Sequence, residues 1–295
     1  MEKVLAVIET ASQPRQLVQT DGTSYWSIPG ITTLADALRI RSADFRALVN
    51  GPMGNLLSGI QGPPIADEVE VWGAGVTYLR SRDARKEESG VPDVYQRVYE
   101  AERPELFLKS LAGRCIGNGA EIGIREDATA SVPEPEVAIV INRFQEIIGL
   151  TICNDVTARS IEGENPLYLS QAKIYIGSTS LGPVIKPIWQ ISDYAEIGIQ
   201  AKITRGSKIE WEAQTSLAAL HRTFDDLVSY LFRCQVFPNG AVLSTGTGII
   251  PPMDIALEPG DVVTISVDGI GTLENPVAEI PLESNYLANQ REGKL

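Results

Sequence analysis

Apolar and polar positions along the chain keep two different rhythms. VLAVIE near the start has the apolar density of a strand, and SYWSIPG reads as an aromatic strand closing on a Pro-Gly turn. Over LADALRIRSADFRALVN, Leu34 and Leu38, then Phe45, Leu48 and Val49, recur at helical spacing and predict two short helices. The Gly- and Pro-rich GIQGPPIADEVE has turn chemistry and places a boundary near residue 66. Residues 1–65 then form a small N-terminal α+β unit, and 66–295 the larger one. VEVWGAGVTYL predicts a strand running into a glycine turn. Beyond residue 105, short β-rich runs follow one another: VAIVI, IIGLTI, KIYIG, GPVIKPIW, IGIQAKITR and VVTISVDGIG. One clear helix interrupts them at TFDDLVSYLF, where Phe224, Leu227, Val228, Leu231 and Phe232 share a face and Thr223 with Asp226 makes a capping pair. The fold class expected is α+β with a strand-heavy core.

Residues 80–103 break the pattern: charged, helix-friendly, and interrupted by Gly90 and Pro92. Two readings stand side by side, a solvated helical excursion or a mobile lid over a site. Composition narrows the function classes. With 25 basic against 38 acidic side chains the net charge is −13, which repels phosphate backbones and anionic lipid and argues against nucleic-acid or membrane partners. No apolar run is long enough to span a membrane and MEKVLAVIET is too short for a signal segment, so a cytoplasmic protein is expected. Cys115, Cys153 and Cys234 are odd in number and widely spaced, which fits reduced thiols better than a disulfide framework.

The richest stretch for chemistry is SVPEPEVAIVIN followed by IIGLTICND. Glu134 and Glu136 are two apart at a strand entry and so share a face. Side by side they repel unless a cation lies between them. Asp155 closes the adjoining apolar run, and three convergent carboxylates without His or Cys suit a hard dication, Mg²⁺ or Mn²⁺. The plainer alternative leaves the glutamates as strand-edge charges and Asp155 as a helix cap. Lys173, in the apolar SQAKIYIGS, would be costly to bury without a partner. It is either a counter-ion to the carboxylates or a base. Glu105 and Lys109 flank the LFL triplet of RPELFLKS, as surface charges or, for Glu105, as a general acid or base. In STGTG, Thr245 and Thr247 could hold a carboxylate or simply make a turn. His221, the only histidine, reads as structural, and its solitude excludes a multi-histidine zinc site. Neither a GxGxxG after a strand nor a Walker lysine is present, so nucleotide cofactors lack support.

PEPEVAIVI, CNDVTAR, STSLGP, STGTG and LEPGDVVTISVDGIGTLENPV, in this order, resemble the fumarylacetoacetase family over roughly residues 66–285. That resemblance implies a strand-rich fold of mixed sheets rolled around a metal site. It implies Glu134, Glu136 and Asp155 as ligands of Mg²⁺ or Mn²⁺, a 2-oxo acid or 1,3-diketone held on the metal, Lys173 beside it, and a homodimer or homotetramer. Two departures matter. Members that hydrolyse C–C bonds use a His-Glu pair, and this chain has no His before 221. The usual "ARDxQ" reads Ala158-Arg159-Ser160-Ile161-Glu162 here. SIEGENPLYLSQAKIY is instead similar to the family's 2-keto-3-deoxy-pentonate dehydratases, which implies Glu105 and Lys173 as the acid–base pair. The expected reaction is Mg²⁺-dependent dehydration of a 2-keto-3-deoxy-pentonate, a small 2-oxo sugar acid, to 2-oxoglutarate semialdehyde in pentose catabolism. The alternatives are an acylpyruvate-type hydrolase, an oxaloacetate decarboxylase or a non-catalytic member. Thr77, Tyr78, Arg80 and Ser81 of GVTYLRS, with Lys109 and Thr245, are the candidate substrate-binding groups.

Overall fold

The structure, a computed structural model, describes residues 3–88 and 92–282. Two sheets dominate it. In the larger, the strands run in the order Leu56–Leu57, Tyr25–Ser27, Gln16–Thr20, Val4–Glu9, Thr179–Pro187, Ile147–Asp155, Pro135–Ile141, Ala241–Ser244, Glu70–Gly75 and Glu105–Leu111, with Ile60–Gly62 also on Val4–Glu9. All neighbours are antiparallel except Ala241–Ser244 beside Glu70–Gly75. Val4–Glu9 pairs with Thr179–Pro187 (Leu5 opposite Ile185), so one sheet continues across residue 66. The smaller sheet orders Lys208–Ser216, Gly198–Arg205, Val262–Val267, Gly271–Ile280 and Ile122–Arg125.

The unbroken apolar runs of the sequence sit where both faces of a strand are covered. Along Pro135–Ile141 every side chain is buried. Val137, Ile139 and Ile141 enter the core shared with Ile199, Ile265 and Leu273 of the smaller sheet. Ala138 and Val140 point the other way, into a core with Leu34, Leu38 and Phe45 of the N-terminal helices. Each fully buried aliphatic side chain contributes about 1.5–3 kcal/mol relative to exposure. Two buried polar devices fix the loops. Asn275 donates to the carbonyls of Gly117 (2.8 Å) and Ala120 (2.7 Å) and accepts from Ser180 Oγ (2.9 Å). Asp261 of the EPGD turn accepts both Nε (2.8 Å) and Nη2 (2.9 Å) of Arg205.

Helices Leu34–Leu38 and Ser42–Asn50 fall where the periodicity puts them. Thr223 Oγ1 accepts from Asp226 N (3.1 Å) to start helix Phe224–Leu231. One expectation fails: KIYIG is not a strand. Asn165 caps a helical turn by accepting from Leu167 N (3.0 Å), Pro166 begins that turn, and helix Leu169–Lys173 follows directly. The chain then turns at Gly177, whose φ is 75°, before the strand Thr179–Pro187. Within the charged segment 80–103 lie two helices, Leu79–Glu88 and Pro92–Glu100, while 89–91 fall outside the described residues. No helix among the described residues is long and apolar enough to cross a membrane.

Candidate active site

Strand pairing brings the carboxylates together. Cys153 lies opposite Glu136 and Asn154 opposite Pro135, so Asp155 at the end of its strand meets the entry of the neighbouring one. The Asp155 N–H donates to the Glu134 carbonyl (3.0 Å) and pins that meeting point. Oxygens of Glu134, Glu136 and Asp155 come within 4.8 Å of one another, and all three residues are buried. The third strand supplies the next contacts. Ser244 Oγ (2.5 Å) and the Gly246 N–H (2.8 Å) both donate to Glu136 Oε2. Gly246 is required: its φ is +91°, and a Cβ there would fall on Thr77 Oγ1.

Each carboxylate has a different electrostatic environment. Lys173 Nζ donates to Glu134 Oε2 (3.0 Å), Asp155 Oδ2 (2.9 Å) and Thr157 Oγ1 (2.7 Å). Arg85 reaches both Glu134 and Glu162. Lys109 Nζ lies 2.7 Å from Asp155 Oδ1 as an ion pair, off the line of a hydrogen bond, so that this oxygen keeps lone-pair capacity. Burial opposes the Glu134 anion, but Arg85 and Lys173 outweigh it and hold that carboxyl down at about 2. Among the described residues no cation is ion-paired to Glu136. Burial, with the charges of Asp155 and Glu134 beside it, pushes its carboxyl up to about 8. Burial pulls the Lys173 ammonium down, yet Asp155 and Glu134 leave it raised overall. Burial also lowers Lys109 and, more strongly than Arg85 and Lys173 oppose it, raises Glu105.

These groups surround a cavity of about 60 Å³. By volume it holds several waters. Glu105, Glu134, Glu136, Asp155, Glu162, Lys173, Arg85, Ser81 and Thr247 share its wall with Val94, Tyr95 and Val98 of the helical pair. Among the sequence candidates, the three strand carboxylates, Glu105, Lys173 and Ser81 therefore meet at one place. Lys109, Thr77 and Thr245 stand behind the wall. Lys109 is fully buried against Asp155, and Thr77 Oγ1 donates to the Thr245 carbonyl (2.6 Å). Tyr78 is buried, and that burial, with the nearby charge of Glu136 adding to it, raises its phenol. Arg80 is exposed on the outer side of its helix. His221 stacks on Tyr99 at 4.5 Å, away from the cavity. Between strand and helix, Val76 is held at φ 53°, a strained conformation for a β-branched residue, and lines the cavity.

Sequence reasoning missed Arg85, Glu162 and the cover residues Val94, Tyr95 and Val98. Arg85 carried no local signal, being one charge among many in RSRDARKEE. Glu162 was visible only as a departure from a family pattern.

The donor set suits a hard divalent cation. Five carboxyl groups line the cavity, against Arg85 and Lys173 on the wall and Lys109 behind it. With Glu105 protonated, as burial favours, the other four carboxylates exceed these three cations by one, and a dication carrying one bound carboxylate would balance the site. Oxygen-only donors that include a carboxylate with no cation partner are what Mg²⁺ or Mn²⁺ takes.

Known proteins carry the same organisation. A family model described as "Fumarylacetoacetate (FAA) hydrolase C-terminal" matches residues 70–278. A probable 2-keto-3-deoxyxylonate dehydratase of Haloferax volcanii is 44% identical over 214 residues, 72% of this chain and 74% of that one. A 2-dehydro-3-deoxy-D-arabinonate dehydratase of Saccharolobus solfataricus is 40% identical over 215 residues, 72% of each chain. Among solved structures, 2-keto-3-deoxy-D-arabinonate dehydratase complexed with magnesium and 2,5-dioxopentanoate superposes with a TM-score of 0.79 at 31% identity, covering 95% of this chain and 100% of that one. Sheet order, carboxylate cluster and these likenesses agree: the chain belongs to the fumarylacetoacetate hydrolase family.

Proposed function

We propose that this protein is a Mg²⁺-dependent dehydratase converting a 2-keto-3-deoxy-pentonate to 2-oxoglutarate semialdehyde (2,5-dioxopentanoate). The observation that carries the reading is the meeting of Glu134, Glu136 and Asp155 with Lys173 and Glu105 on one buried cavity. Identity of 44% and 40% to two dehydratases of such acids supports it.

Glu134, Glu136 and Asp155 would hold Mg²⁺, which supplies Lewis-acid stabilisation for charge on the C1 carboxylate and C2 oxo oxygens of the substrate. The chain's own groups do the rest. Lys173 is assigned removal of the C3 proton; its ammonium must first lose a proton to solvent, which a dication on Glu134 and Asp155 would favour by taking up the carboxylate charge that otherwise holds that proton. Glu105, raised by burial, keeps its proton and hands it to the C4 hydroxyl, which leaves as water. A C5 proton then moves to C3, and the resulting C4–C5 enol gives up its O–H proton and gains one at C4 to become the aldehyde. No attacking water is needed, consistent with a cavity that has no histidine on its wall. Ser81 and Thr247, which line the cavity, are assigned to substrate hydroxyls. Lys109 and Thr245 act from behind, orienting Asp155 and the turn at Gly246. A homo-oligomer is the expected assembly, measurable by light scattering.

The test is direct. Purified protein with Mg²⁺ and 2-keto-3-deoxy-D-pentonate should release 2-oxoglutarate semialdehyde, read by coupled aldehyde oxidation. Pyruvate plus a two-carbon fragment would identify a C–C lyase or hydrolase instead, and CO₂ from oxaloacetate a decarboxylase.

A further inference from the structure

The cavity wall divides by chemistry. Among the described residues its cations are Arg85 and Lys173, and both are engaged: Lys173 by Glu134 and Asp155, Arg85 by Glu134 and Glu162. Helix Pro92–Glu100 contributes Val94, Tyr95 and Val98, and the segment after Asn165 adds Pro166 and Leu169. Apart from the Tyr95 phenol, that part of the wall is apolar. A substrate anchored by its 2-oxo acid head on the carboxylate cluster must place its other end among these remaining groups. A neutral end fits there. A second carboxylate would lose part of its water there with no cation among the described residues free to receive it, because Glu162 and Glu134 already engage Arg85.

We propose that this site selects 2-oxo monocarboxylates over 2-oxo dicarboxylates, and that Glu162 with the apolar face of Val94 and Val98 enforces the choice. Glu162 is here a specificity-determining residue. It neutralises Arg85, which lies close enough to touch Glu134, and so prevents the guanidinium from acting as a second carboxylate receptor. The inference rests on the reading of the cluster as a Mg²⁺ site for 2-oxo acids, and it narrows the substrates to acids whose distal end is a hydroxyl, aldehyde or alkyl group. It places oxaloacetate and other dianions outside the range of this cavity.

Two ligands of equal length isolate the distal charge: 2-oxopentanoate and 2-oxoglutarate. Titrated calorimetrically into the Mg²⁺-loaded wild-type protein, 2-oxopentanoate should bind about 10²-fold more tightly, the size expected for one buried unpaired charge. Val98→Lys, on the partly exposed face of its helix, should bring 2-oxoglutarate to within about tenfold of the monoacid by supplying the missing partner. Glu162→Gln, which leaves Arg85 with Glu134 but without its second carboxylate, should shift the ratio in the same direction. Equal or tighter binding of 2-oxoglutarate to wild type overturns the proposal, as does a ratio left unchanged in both variants. If neither ligand nor pyruvate binds with Mg²⁺ present, the 2-oxo-acid site and this inference fall together. If pyruvate binds and the two longer acids do not differ, only the inference falls.

Discussion

The cavity has a floor and a cover made by opposite means. The floor is backbone: three adjacent strands, Ala241–Ser244, Pro135–Ile141 and Ile147–Asp155, whose pairings put Glu136, Glu134 and Asp155 in place and whose loops donate to them. Apart from the half-buried Ile147 at the far end of its strand, its side chains are buried. The cover, helices Leu79–Glu88 and Pro92–Glu100, is held by side chains. Arg85 reaches down to Glu134 and Glu162, Tyr99 stacks on His221, and Arg222 holds the carbonyls of Ala101 (2.6 Å) and Glu102 (3.0 Å). A floor built on strand register cannot shift one group without shifting a strand. A cover built on a few ionic and ring contacts can be loosened one contact at a time. Chemistry that needs fixed charges is accordingly on the floor, and the selection of what enters falls to the cover.

The largest expected effect lies on the floor. Glu136→Gln removes the carboxylate that has no cation of its own, and Mg²⁺-dependent turnover should fall by at least about 10³-fold, since Lewis-acid stabilisation is worth several kcal/mol. A second readout separates lost metal from lost fold. Mg²⁺ at 100 times its Kd should stabilise the wild type by about 2.7 kcal/mol, seen as a raised melting temperature, and Glu136→Gln should abolish that rise while the metal-free melt persists. A variant that still turned over with Mg²⁺ would remove the ligand assignment.

Next come the two groups proposed to move protons. Lys173→Met and Glu105→Gln should each lower kcat by about 10²–10⁴-fold. The pH profile tells their roles apart. Burial raises Glu105, so its proton is kept to higher pH than an ordinary carboxyl keeps it, and as the acid it loses activity only when pH rises through that raised value. Wild type should therefore show an alkaline fall in kcat that the residual rate of Glu105→Gln lacks. An acid-side fall that disappears with Glu105 instead would make this residue the base and Lys173 the proton donor.

The same contrast explains what could be read in the sequence. Strand periodicity places the floor residues on one face but leaves them open as strand-edge charges, and the resemblance to the fumarylacetoacetase family turns that placement into a ligand assignment. Glu134 and Glu136, two apart, share a face, and the apolar runs beside them announce buried strands. Glu105 and Lys173 stand beside apolar runs as surface charge or counter-ion as readily as catalytic groups, and their pairing as acid and base comes from the resemblance to the family's dehydratases. Arg85 and Glu162 are not visible, because a helix rich in charge looks solvated whichever of its residues turns inward, and the inward one is chosen by a partner 77 positions away. KIYIG misled for a related reason: its β-branched residues favour a strand, but Asn165 and Pro166 upstream start a helical turn that overrides them. The continuation of one sheet from Val4–Glu9 into Thr179–Pro187 is likewise a long-range pairing with no local mark.

The smallest predicted effect tests the cover alone. Arg222 lies outside the cavity, ion-paired to Asp226 at 3.1 Å, and its guanidinium holds the two carbonyls that follow helix Pro92–Glu100. Those carbonyls follow a helix end and are exposed, so water takes over when the guanidinium is removed and the loss is the tether between Arg222 and the cover. Arg222→Ala should cost about 1 kcal/mol of cover docking, near the net worth of a hydrogen bond of this kind. That amounts to about a fivefold rise in KM. Because no floor residue moves, kcat should stay within about twofold, and the Mg²⁺-induced rise in melting temperature should be unchanged. Steady-state kinetics beside thermal melts would measure both. A proportional loss in kcat and in the Mg²⁺ response would mean that the cover positions the carboxylates themselves, and the division between a rigid floor and a side-chain-latched cover would have to be given up.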